Sequence, residues 1–197
     1  MAGEYGLVVV VNPADALVDI VFVHGITGNR RKTWTHSNGT FWPEQLLPQD
    51  IPGARVLTFG YDADLVGTLR PVGQGRLRDH ASALALDLAH TLVPGRPVVF
   101  VAHSMGGLPV EQMLTICYNE RDQSYRRITE STAGIMFLGT PHAGTEKATW
   151  WSFLKKLAGI FLPINKEVGK VLKPGSEVLF NVQQSFHGML NHYVRSV

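Results

Sequence analysis

The sequence predicts an α/β fold, one mostly parallel β-sheet with helices on both faces. Three observations carry this. Short β-branched and aliphatic runs alternate with longer segments of helical periodicity. Several of the runs are apolar at every position, as strands buried on both faces are. The chain, 197 residues with 45% hydrophobic content, is long enough to bury one core, so residues 1–197 read as a single domain.

Leu7 to Val11 is the first predicted strand. Asp19 to Val23 is the second, and it ends at His24-Gly25. Trp42 to Leu47 forms a short helix, with Pro43 suited to its first turn. Arg55 to Phe59 is the third strand. A helix follows over Leu77 to Leu92, where Leu77, Ala81, Leu84, Ala85, Leu88 and Leu92 recur at helical spacing. Pro94-Gly95 stops it. Pro97 to Ala102 is a strand, Gly107 to Tyr118 a helix that starts near Ser104, and Ala133 to Leu138 another strand, closed by Gly139-Thr140-Pro141. Glu177 to Phe186 reads as a helix. His192 to Val197 reads as the first residues of a strand, so the sheet is expected to be incomplete at its C-terminal edge.

Composition excludes several classes. Charged residues are 17% of the chain, and 18 basic against 16 acidic leave a net charge of +2. So weak a field does not suit a nucleic-acid binder. The one cysteine, Cys117, cannot form an internal disulfide and reads as a small core residue. MAGEYG lacks a basic n-region, and no apolar run approaches the roughly 18 residues of a membrane span. Asn38-Gly39-Thr40 matches a glycosylation sequon but reads as a plain loop. These features together suggest a soluble, cytoplasmic protein. The stretch GITGNRRKT has the outline of a phosphate-binding loop, but Arg31 stands where glycine should precede Lys32, and the spacing is one residue too long.

The chemistry-bearing motif is Val98 to Gly107, VVFVAHSMGG. It is a strand, a sharp turn and a helix start, the pattern G-x-S-x-G with Ala102 at the first glycine position. Small residues two positions either side of the serine avoid clashes with the neighbouring strand and helix. The turn lifts the Ser104 hydroxyl off the sheet edge, at a helix N-terminus that favours developing negative charge. The bland alternative is a serine that merely caps a helix. Phe22-Val23-His24-Gly25-Ile26-Thr27-Gly28 ends an earlier strand. In a strand-turn-helix nucleophile architecture that loop supplies one oxyanion N–H and the residue after the nucleophile the other. This nominates the amides of Ile26 and Met105, with His24, Gly25, His103 and Gly106 as the supporting loop. Acyl transfer by this route needs no metal or cofactor.

Five blocks occur in order over most of residues 18–145: VFVHGITGNRRKTW, FWPEQLLP, RVLTFGYDA, VFVAHSMGGLPVEQML and GIMFLGTPHAGT. Together they resemble the lipase-like serine hydrolases that include the serine-active-site-containing protein family and, more distantly, the GPI inositol-deacylases. The resemblance implies an α/β-hydrolase fold and hydrolysis of a small-molecule or lipid carboxylic ester. Ser104 carries over as nucleophile, and Ile26 and Met105 as oxyanion donors. It also offers mitochondrion or endoplasmic reticulum membrane as alternative locations, and fusion to downstream domains, as in related fungal proteins.

A serine nucleophile needs a base, and the base an orienting acid. In this architecture both follow the serine in chain order, on loops after later strands. We therefore expect neither triad acid nor histidine within the chain, and both beyond Val197. His24 and His103 read as loop-orienting or packing groups. His142 reads as structural at the rim of the site. His187 and His192 read as surface or helix-end residues, and Asp62 and Asp64 as turn caps. Trp150 to Leu162 reads either as a helix packed on the sheet, which we favour, or as a lid with Lys155 and Lys156 toward anionic lipid, a peripheral membrane contact. The rival to an enzyme is a catalytically incomplete hydrolase-like module used for recognition or signalling in a larger protein.

Overall fold

The computed structural model describes residues 4–25, 28–62, 73–140, 142 and 177–195. Five strands, β1 (Gly6–Val11), β2 (Val18–Val23), β3 (Ala54–Gly60), β4 (Val98–His103) and β5 (Thr132–Leu138), form one sheet in the order β1-β3-β2-β4-β5. β1 runs antiparallel to β3, and all other pairings are parallel. The central strands β2 and β3 are buried almost throughout, which is why their sequences are apolar without alternation.

Side chains of one strand alternate between the two faces, and the faces are covered unequally. On one, Ile20, Phe22, Val56 and Val101 pack against Trp34, Phe41, Trp42 and Leu47. These come from a 3₁₀ turn (Lys32–Trp34), the N-cap Phe41 and the two short helices that follow it, α1 (Trp42–Gln45) and α2 (Leu47–Asp50). The other face carries α3 (Gly73–Thr91), α4 (Gly107–Asn119), α5 (Gln123–Ser131) and α6 (Glu177–Arg195). There Val21, Leu57, Phe59 and Phe100 meet Leu84 and Leu88 of α3, Val110 and Met113 of α4, and Phe186 and Met189 of α6. The apolar stripe predicted for α3 is the buried one: Leu77, Ala81, Leu84, Ala85 and Leu88 are all inside. Cys117 is buried in the same core, 3.7 Å from the Met113 sulfur.

Three elements differ from expectation. The helix predicted over Trp42 to Leu47 is two four-residue helices, because Pro48 has no N–H and its ring opposes the carbonyl four residues earlier. α5 was not anticipated. Its N-cap, Asp122, accepts the Ser124 N–H at 2.8 Å, and its mostly polar sequence shows only a narrow buried strip at Ile128 and Thr129. Residues 192–195 are the end of α6, not the start of a strand. Val182, Phe186 and Met189, spaced four and three apart, are buried and propagate the helix past the β-branched Val194. The Trp150 to Leu162 segment and Asp64 lie outside the described residues. Among the described residues no helix is long and apolar enough to cross a membrane.

Candidate active site

The site begins with a backbone conformation. Ser104 has φ 53°, and among the described residues it is the only non-glycine with positive φ. A left-handed serine is unfavourable unless its surroundings impose it. Here β4 ends extended at His103, a 3₁₀ turn spans Ser104–Gly106, and α4 begins at Gly107. The reversal puts Ser104 at the C-terminal edge of β4 and the N-terminal end of α4, as the small-residue pattern predicts. Its side chain is almost buried, at 2% exposure for the residue.

Close approach of two loops explains the glycines. A Cβ on Gly25 would lie 2.8 Å from the Ser104 Cβ and 2.7 Å from the His103 carbonyl oxygen. A Cβ on Gly106 would collide with the carbonyls of Val23 and His24. The loop after β2 and the turn after β4 therefore touch backbone to backbone. Gly106→Ala should disrupt this contact, lowering stability by about 1–3 kcal/mol and slowing the reaction of Ser104 with an acylating probe. Urea denaturation and a labelling time course would check both.

The histidines of this region are structural in their contacts. His24 is completely buried. The Tyr61 N–H donates to its Nε2 at 3.3 Å, and its Nδ1 lies 2.9 Å from the Gly25 carbonyl. The first contact fixes Nε2 as acceptor, so Nδ1–H is the donor to Gly25. The Tyr61 hydroxyl donates to the His24 carbonyl at 2.8 Å, and the two rings stack at 4.5 Å. Burial holds His24 below the ordinary histidine range. With both ring nitrogens engaged, it has no site left for a serine proton. Burial also lowers His103, whose ring stands edge-on to Trp34 at 6.1 Å on the opposite face.

Ser104, Met105, Gly106, His103, His24 and Gly25 thus come together at one edge of the sheet. Met105 is buried in the turn; Ile26 lies outside the described residues. The stretch once resembling a phosphate loop leads into the three-residue turn Lys32–Trp34 and lacks the helix N-terminus that phosphate binding uses. Two residues that sequence reasoning did not single out border the site. Thr140 Oγ1 donates to the Ser104 carbonyl at 2.8 Å in a buried contact. Glu111 of α4 is completely buried, 3.4 Å from Nδ1 of His142. The signal for Glu111 was its position: one acid among Val110, Met113 and Leu114, all core residues. Among the described residues no cluster of three His, Cys, Asp or Glu side chains could hold a metal ion.

Part of this chain is similar to known proteins. Protein SERAC1 of Danio rerio is 34% identical over 152 residues, and Protein SERAC1 of Homo sapiens 29% over 150. Each alignment covers 67% of this chain, which spans 23% of the length of these relatives. Among solved structures, esterase B from Lactobacillus rhamnosis aligns over 96% of this chain and 71% of its own, with 13% identity and a TM-score of 0.40. Juvenile hormone esterase from Manduca sexta aligns over 87% and 33%, with 16% identity and a TM-score of 0.35. The family model described as alpha/beta hydrolase matches residues 20–188. That span runs from β2 through the Ser104 turn into α6, and by it the chain belongs to the alpha/beta hydrolase family.

Proposed function

We propose that this chain carries the nucleophile of a serine hydrolase acting on carboxylic esters. The observation that carries the proposal is the left-handed Ser104, held between β4 and α4 with the Gly25 loop against it. A strained residue at a strand-to-helix turn is kept where function requires it. Ser104 Oγ attacks the ester carbonyl carbon, and the tetrahedral oxygen is held by the amides of Met105 and Ile26, each donor worth about 3 kcal/mol in the transition state. The proton passes to a histidine other than His24, whose ring is fully occupied. The substrate is a small apolar or lipid ester. The resemblance of the five sequence blocks to lipase-like serine hydrolases supports the substrate class.

A fluorophosphonate probe tests this reading. In a protein that also carries the base histidine it should bind covalently, with the adduct mapped to Ser104, and Ser104→Ala should lower labelling by at least about 10³-fold. Equal labelling of both proteins would remove Ser104 from the role. A folded native chain that takes no label would favour the recognition module.

A further inference from the structure

Helix α4 carries an acid where its neighbours are core. Glu111 has no exposure, and neither of its carboxyl oxygens makes a hydrogen bond. A buried carboxyl without partners is costly and calls for an explanation. His142 supplies one. Its Nδ1 stands 3.4 Å from Glu111 Oε1, and its ring is set edge-on to Phe137 of β5 at 4.7 Å. Two residues earlier on the same short connection, Thr140 bonds the Ser104 carbonyl. The loop leaving β5, which turns at Gly139 with φ 71°, therefore meets the nucleophile helix twice: once at the strained residue and once two helical turns further along.

We infer that the buried Glu111 and the partly exposed His142 form a clamp that fixes the loop after β5 on α4 and, through Thr140, holds Ser104 in its left-handed conformation. Both are positioning residues, and neither is given a contact with substrate. A strained backbone persists only when its surroundings over-determine it. The Gly25 loop restrains the turn from the β2 side, and the clamp restrains it from the β5 side. The effect on reactivity rests on the serine-hydrolase reading above, whereas the clamp itself does not.

The test pairs hydrogen exchange of the Gly139, Thr140 and His142 amides with fluorophosphonate labelling, both at pH 6. Glu111→Leu keeps the volume and removes the polar contact; His142→Leu removes the other half. Each should speed exchange in the loop about tenfold and slow labelling about tenfold. Glu111→Gln, whose amide can still bond a neutral imidazole, should keep both within about twofold of the native chain. Thr140→Val combined with Glu111→Leu should slow labelling by less than the product of the single effects, since both act along one path. Native exchange and labelling in a folded His142→Leu protein would overturn the clamp, as would independent effects in the double variant. Should Glu111→Leu fail to fold, His142→Leu and the Glu111→Gln comparison decide. Should the native chain take no label, the nucleophile reading falls and the exchange rates alone judge the clamp.

Discussion

Glu111→Gln is expected to make the protein more stable at pH 8 by about 3–5 kcal/mol and to leave it nearly unchanged at pH 4.5. Burial pushes the Glu111 carboxyl up to about 8 from an ordinary value of 4.5. The native protein then holds a proton that the unfolded chain has released. A group raised in this way stabilises fully below its unfolded pKa, and that stability is lost as pH rises from about 4.5 through about 8. Glutamine has the same shape and no proton to lose, so the slope should vanish in the variant. Urea unfolding at several pH values would measure it. The opposite sign would arise if Glu111 and His142 were an ion pair, which their 3.4 Å separation would permit. Glu111→Gln would then destabilise the protein near neutral pH. Burial argues against this, since it favours the neutral form of both partners, and His142 is further lowered by the nearby His187. The depressed histidines His24, His80, His103 and His142 act on the other limb: their stability is present above about 6.5 and is lost as pH falls below it. The difference between native and Glu111→Gln isolates the carboxyl from that limb.

The parallel layer was legible because burial on both faces leaves a signature that needs no partner: continuous apolar runs such as Ile20 to Val23 and Val98 to Ala102. The turn at Ser104 was legible for a related reason. Close approach demands small residues, and Ala102, Gly106 and Gly25 mark it in the sequence even though their partners are distant in the chain. Glu111 and Thr140 were not legible in the same way. Their meaning depends on which loop the fold brings to them, and a lone acid in an apolar helix has the same local pattern whether it faces water or the interior. The end of α6 was misread because Val194 favours extended backbone locally, while the stripe Val182, Phe186 and Met189, which decides for helix, gains its energy only against α4.

Asp19→Ala should cost about 3–5 kcal/mol of stability without changing the labelling rate of Ser104 in the folded protein. Asp19 is completely buried at the start of β2. Arg55 of β3 grips it with two hydrogen bonds, Nε to Oδ1 at 2.8 Å and Nη2 to Oδ2 at 2.6 Å, and also donates to the Thr91 carbonyl at 3.0 Å. Arg96 adds a longer contact at 3.3 Å. Asp19 and Arg55 are register partners in the parallel β2–β3 pair, so the fork joins two central strands and the end of α3. Removing the acid leaves the Arg55 guanidinium buried with one carbonyl for a partner, and the penalty is that of an uncompensated charge rather than of one lost bond. Arg55→Lys should also destabilise, because an ammonium cannot reproduce the planar two-point grip. Arg96→Ala should cost less than about 1 kcal/mol, its contact being longer and partly solvated. The network sits at the N-terminal ends of the strands, and Ser104 at the C-terminal end. If melting temperature and labelling rate fell together in folded Asp19→Ala, the sheet would not be the rigid layer this separation requires. If neither changed, the buried fork would not be holding β2 and β3 in register.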